Sequence, residues 1–212
     1  MDPIGSLAHF FQAGGYWMYP NAVLLVLGIV IAIERSLFLR RSYRENRELW
    51  GRMIPLMNAG NFADAEKLAQ ESETAIGKVI SYGFAHSRAS RRRAEVEMAI
   101  EESLMEVTSL LEKRTHYLAV FANVATLLGL LGTITGLIRA FAAIASLNLS
   151  EKTDVLSASI AEALNCTAFG LFIAIPLLLI HAWLTTQTGE LVDSLEMAGV
   201  KFLNSLKLPA SA

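Results

Sequence analysis

Three apolar stretches, residues 16–39, 117–147 and 155–184, are each long enough to cross a membrane, and nothing else in the sequence limits the fold as severely. A hydrocarbon core of roughly 30 Å takes about 20 helical residues at 1.5 Å each. Because lipid offers the backbone no hydrogen-bond partners, each stretch is expected to be a helix that satisfies its own amides and carbonyls. With 53% hydrophobic and only 18% charged residues, the chain reads as an all-α integral membrane protein with three transmembrane helices rather than a soluble domain.

The placement of charge orients those spans. Of 18 Lys and Arg residues, 14 lie between Arg35 and Arg114, none precedes the first span, and only Lys152 lies in the link between the second and third. The excess of positive charge on cytoplasmic loops then puts the N-terminus outside and the C-terminus inside. The expected order is an outer segment at 1–15, a first span at 16–39, a cytoplasmic helical region at 40–116, and a second span at 117–147. An outer loop at 148–154, a third span at 155–184 and a cytoplasmic C-terminal helix and tail at 185–212 complete it. Tyr16, Trp17 and Tyr19 at one end and Tyr117 and Trp183 at the other suit interfacial aromatic belts. The start of the chain lacks a basic region of the kind that opens a signal peptide, so span one is expected to be retained.

The composition argues against several chemistries. One cysteine, Cys166, allows no internal disulfide. His9, His86, His116 and His181 are scattered without metal-ligand spacing, and no phosphate-binding loop or catalytic triad pattern is present. No cofactor and no nucleic-acid partner is expected; the lipid bilayer is.

Between the first two spans, short amphipathic helices are expected. Asn61 is a candidate N-cap, with Phe62, Ala65, Leu68 and Ala69 at helical spacing behind it. From about Ala94, Val96, Ile100, Leu104, Val107 and Leu111 recur every three to four residues. With no Gly or Pro before span two, that helix is expected to run unbroken into it, roughly 80 Å in all, and to need a partner for its stripe, which makes oligomerisation plausible. Glu34 and Arg35, at the inner end of span one, read as a pair reaching for the headgroups. The "NLSEKTDVLSAS" link makes spans two and three an antiparallel hairpin, with Thr153 or Asp154 available to cap the third helix.

Within the hairpin, Thr126, Gly129, Thr133, Gly136 and Ala140 recur at steps of three and four on span two, with Gly132 beside them. Small residues at this spacing let helices approach closely in lipid. Span three sets Glu162, Cys166, Phe169 and Ile173 on one face, flanked by Ala163 and Thr167, with Asn165 adjacent and Pro176 further on. An ionised carboxylate inside a span costs a few kcal/mol or more. Glu162 is therefore expected to face protein or water and to take and release a cation, or else to sit close enough to the outer surface to reach it.

The pair of segments "LLGLLGTITGLIRAF" and "SIAEALNCTAFGLFIAIP", with "AIERSLFLRR" after span one, resembles the signature of the MotA/TolQ/ExbB proton-channel family, on its ExbB/TolQ side. The retained acid argues against the flagellar MotA branch, whose members resemble a four-span plan without it. The resemblance implies a homopentamer around a central pore in the bacterial inner membrane, with the N-terminus periplasmic. It also implies a dimeric ExbD/TolR-like partner, each copy with a single span carrying an Asp, seated in that pore. Protons moving inward would turn the partner and do work on the envelope. By motif, Glu162, Thr133 and Thr167 would line the ion pathway, with Thr126, Asn165 and Cys166 as further polar lining, and Gly129, Gly132 and Gly136 would pack the helices. The polar lining at Asn165 and Cys166 leaves sodium open beside the proton. A non-conducting scaffold, built on the Gly and Thr faces alone, is the alternative; an enzyme is weakly supported because Glu162 has no paired acid or positioned base.

Overall fold

The computed structural model describes residues 14–89, 92–144 and 149–206, with Leu149, Ser150 and Glu151 described in backbone only. The expected outer segment at 1–15 and the extreme C-terminal tail therefore lie mostly outside the described residues. The described residues form six α-helices: α1 Met18–Asn58, α2 Phe62–Gln70, α3 Ala75–Ala89, α4 Arg93–Glu112, α5 His116–Ile144 and α6 Leu149–Ser205. Three of the helical stretches are long and apolar enough to cross a membrane. The chain divides into two compact units. One holds the chain up to Ile33 with Arg114–Ala182, and the other holds Glu34–Lys113 with the chain from Trp183 on.

In the first unit α1, α5 and α6 bury small residues, Ala122, Ala125, Ala140 and Ala163, beside a few large ones such as Leu118, Ile173 and Leu177, while Val26, Val30, Ile138, Phe141, Phe172 and Leu179 are exposed. Small residues between helices and an apolar outer surface are the pattern of helices that meet lipid. Pro20 falls in the first turn of α1, where its missing N–H would have had no partner in the helix.

The second unit has an ordinary apolar core. The α4 stripe buries Val96, Ile100, Val107 and Leu111, and it is covered from within the chain. A Cβ on Gly83 of α3 would meet Phe202 at 2.7 Å and Ile100 at 3.2 Å, and one on Gly199 of α6 would meet Ile100 at 2.9 Å. Phe84 and Phe202 close the core edge to face, 4.7 Å between centroids. These buried residues therefore need no second molecule to cover them, contrary to expectation; the exposed large apolar residues of α4 are Met98 and Met105, on the opposite face, and Leu110.

Three boundaries differ from the sequence reading. First, α1 does not stop near residue 39 but continues to Asn58. It ends where Gly60 takes a positive φ of 77°, with Gly60 N–H donating to Met57 O and Asn61 N–H to Leu56 O, the paired bonds of a Schellman end. Asn61 then caps α2 as expected, accepting from Asp64 N–H.

Second, α4 and α5 are separate helices of about 30 and 44 Å. Lys113 is extended and Arg114 adopts φ 68°, a left-handed conformation that costs an ordinary residue roughly 1–2 kcal/mol. Third, α6 already begins at Leu149, so Thr153 and Asp154 lie inside its first turns and do not cap it, and the expected loop at 148–154 is helical from Leu149 on. The helix runs through Pro176 to Ser205.

Asn46, buried in α1, fixes the start of α3: its Oδ1 accepts from Ile76 N–H at 2.7 Å and its Nδ2 donates to Ser42 O. Asn46→Ala leaves that buried N–H without an acceptor, which costs about 1–3 kcal/mol. Thermal unfolding of the detergent-solubilised protein is expected to show a clearly lowered midpoint; an unchanged one would contradict this assignment.

Candidate ion site on the α5–α6 hairpin

Two close-packed helices form the floor of the site. Gly129, Gly132 and Gly136 of α5 are buried against α6. A Cβ on Gly129 would lie 3.2 Å from Thr167 Cα, one on Gly132 2.2 Å from Cys166 Sγ, and one on Gly136 3.1 Å from Ala163 Cβ. Gly170 answers from α6: a Cβ there would lie 2.7 Å from the Ala125 carbonyl oxygen. Backbones this close permit the Thr167 hydroxyl to donate across the seam to Gly129 O at 2.8 Å. Helix α1 joins at Gly28, where a Cβ would meet Leu177 at 2.7 Å.

The acid stands at one end of this seam. Arg139 Nη2 of α5 lies 2.9 Å from Glu162 Oε1 of α6, with the two side chains 60% and 33% exposed. The partial exposure leaves the carboxylate reachable while the ion pair holds it in place. The turn before α1 lies over the same oxygen. Gly15, at φ 76°, comes so near that a Cβ on it would fall 2.2 Å from Oε1. Trp17 pins this turn by donating from Nε1 to Thr135 Oγ1 at 3.0 Å and packs its Cβ toward Gly132.

The other residues marked in the sequence are placed as follows. Cys166 is buried within the seam and Asn165 is half-buried beside it. Thr133 donates to Leu130 O at 2.6 Å and Thr126 to Ala122 O at 3.0 Å, both within α5. The residue that α5 brings to Glu162 is Arg139, which the sequence reading passed over. Its signal was present: a charge inside an apolar span needs a partner in the protein interior or in water, and Glu162 is the acid of the neighbouring span. Asn21 was missed as well. It is fully buried in α1 and its amide has no hydrogen-bond partner among the described residues, as is common where a buried water completes a polar group. Among the described residues no group of His, Cys, Asp and Glu gathers to hold a metal ion.

The chain is thus a helical protein with three candidate membrane spans that carries an ion-paired carboxylate at one end of a seam of small residues. The model of the MotA/TolQ/ExbB proton channel family matches residues 71–197, more than half of the chain and all of the hairpin site, and the chain belongs to that family. It is 27% identical over 202 residues to a putative biopolymer transport protein, an ExbB homolog of Methanothermobacter thermautotrophicus, covering 93% of this chain and 71% of that one. It is 26% identical over 175 residues to the Tol-Pal system protein TolQ of Haemophilus influenzae, covering 78% and 76%. The biopolymer transport protein ExbB of Pseudomonas putida is 26% identical over 196 residues, covering 85% and 59%. The ExbB/TolQ side of the family expected from the motifs is thus where its relatives lie.

Proposed function

We propose that the chain is the multi-span subunit of an ion-driven complex of the bacterial inner membrane, working with its N-terminus in the periplasm and its C-terminus in the cytoplasm. Five copies enclose a pore that seats a dimeric, single-span partner of the ExbD/TolR kind with an acid in its span. Inward movement of protons past Glu162 moves that partner and delivers work to the envelope. Thr133 and Thr167 contribute polar atoms to the path, and the seam glycines hold the hairpin rigid against the moving partner.

The observation that carries this reading is the Glu162 carboxylate, held by Arg139 yet partly exposed on the hairpin. Taking a carboxylate and a guanidinium out of water usually cancels what their pairing gains, so stability alone is a weak reason to place the pair in a span. The small-residue seam by itself suits a non-conducting scaffold equally well, so the test must address the acid. Ion flux into liposomes holding the co-purified complex is expected to fall in Glu162→Gln to the level of empty vesicles, with the complex still intact on gel filtration. An intact complex with unchanged flux would favour the scaffold.

A further inference from the structure

We propose that Arg139 is a specificity-determining residue, which leaves Glu162 usable by a proton but not by sodium or another hard cation. The inference rests on reading Glu162 as an ion-relay group, and it follows from how each ion would have to bind. A hard metal cation gives up its water only where several oxygens replace it; calcium, for comparison, takes six to eight. A proton needs one lone pair.

Among the described residues, one of the two Glu162 oxygens is taken. Oε1 is occupied by the Arg139 guanidinium at 2.9 Å, and Gly15 closes over the same atom. The neighbours on the seam are the Cys166 sulfur and the Ala163 methyl, each packed against a glycine of α5. The Thr135 hydroxyl accepts from Trp17 and donates within its own helix, and the Thr167 hydroxyl turns its proton toward Gly129 O. Among the described residues no group of three or more His, Cys, Asp and Glu side chains gathers at the site.

Sodium would therefore meet a half-used carboxylate beside a fixed positive charge. A proton can settle on Oε2, which accepts no hydrogen bond from the described residues, while Oε1 goes on accepting from Arg139. The guanidinium opposes the charge of either ion, and what separates them is coordination: with Oε1 held by Arg139, sodium is left a single carboxylate oxygen, too few to replace its water, whereas a proton needs only that one lone pair.

The test is carbodiimide labelling, which attacks protonated carboxyls in apolar surroundings and needs neither the partner nor flux. The full-length protein in liposomes is labelled at a pH where the wild type reacts measurably, with sodium chloride or choline chloride at equal ionic strength. The adduct on the Glu162 peptide is read by mass spectrometry, with Glu162→Gln marking any label elsewhere. Wild type and Arg139→Lys are expected to label at the same rate in both salts. Arg139→Gln is expected to label several-fold more slowly in sodium, because the cation then competes for the freed carboxylate. Sodium protection of the wild type would overturn the proposal, and so would an Arg139→Gln protein indifferent to sodium. If Arg139→Gln does not fold, Arg139→Met, which keeps the bulk and removes the charge, takes its place with the same expectation. A complex that fails to conduct would count against the motor reading and leave this result untouched, which separates the two.

Discussion

Gly170→Ala is expected to prevent the α5–α6 hairpin from closing, with loss of folded protein far greater than for any other single methyl added to the seam. The reason is what the new methyl meets. At Gly170 it would lie 2.7 Å from the Ala125 carbonyl oxygen and 3.2 Å from Gly129 Cα, both main-chain atoms of the facing helix. Neither can rotate aside, so the helices must separate, and separation also breaks the Thr167 to Gly129 bond. Overpacking alone costs about 1–3 kcal/mol, and an interhelical bond in a membrane averages about 0.6 kcal/mol with a maximum near 1.7; together they amount to roughly 2–4 kcal/mol.

The other glycines make the comparison informative. At Gly132 the nearest clash is with the Cys166 sulfur, with Cys166 Cβ next at 2.9 Å, so Gly132→Ala should be restored in part by Cys166→Ala in the same chain. At Gly136 the methyl would touch only Ala163 Cβ at 3.1 Å and should be mild. Gel filtration and thermal unfolding in detergent give the ranking. A Gly170→Ala protein as stable as Gly136→Ala, or a Gly132→Ala protein that Cys166→Ala does not rescue, would contradict the packing described.

Gly170 also shows where reading the sequence stopped short. Gly129, Gly132 and Gly136 are visible because they recur along one helix, a property of local spacing. Gly170 sits alone in "AFGLF", and only the facing carbonyl of Ala125 makes it indispensable. The three spans were legible for the opposite reason, since length and apolarity are properties of each segment by itself. The charged continuation of α1 past residue 39 hid its helicity under polar residues, although pairs such as Arg41 with Glu45, four apart, support a helix there. The break between α4 and α5 was invisible because its left-handed residue is Arg114; no glycine marks it. At the site, Glu162 stood out as an acid among apolar residues. Its partner Arg139 lies 23 residues away, and the pairing depends on hairpin register, which neither helix specifies alone.

Arg35 is where the physical reading of the sequence and the structure diverge most, and its removal is expected to have the second large effect. The expectation was a cation reaching outward to headgroups. Instead Arg35 is 4% exposed, its Nη2 donates to the Leu111 carbonyl, and its guanidinium carbon lies 4.7 Å from the centre of the Phe38 ring. Leu111 is in the last turn of α4, where carbonyls have no partner within the helix and the dipole favours a positive charge. A hydrogen bond from a charged donor is worth about 1.5–3 kcal/mol, and a desolvated cation over a ring about 2 more. Arg35→Ala is therefore expected to destabilise the unit containing α4 by roughly 3–5 kcal/mol. Arg35→Lys keeps the charge but loses the planar fork that serves a carbonyl and a ring together, so it should fall between. Arg35→Met restores bulk without charge and separates packing from capping. Hydrogen exchange at the end of α4 is the decisive readout. Faster exchange of the amides at the end of α4 in Arg35→Met supports the capping role, whereas wild-type protection there would mean that Arg35 acts through packing and that the Leu111 carbonyl does not depend on it.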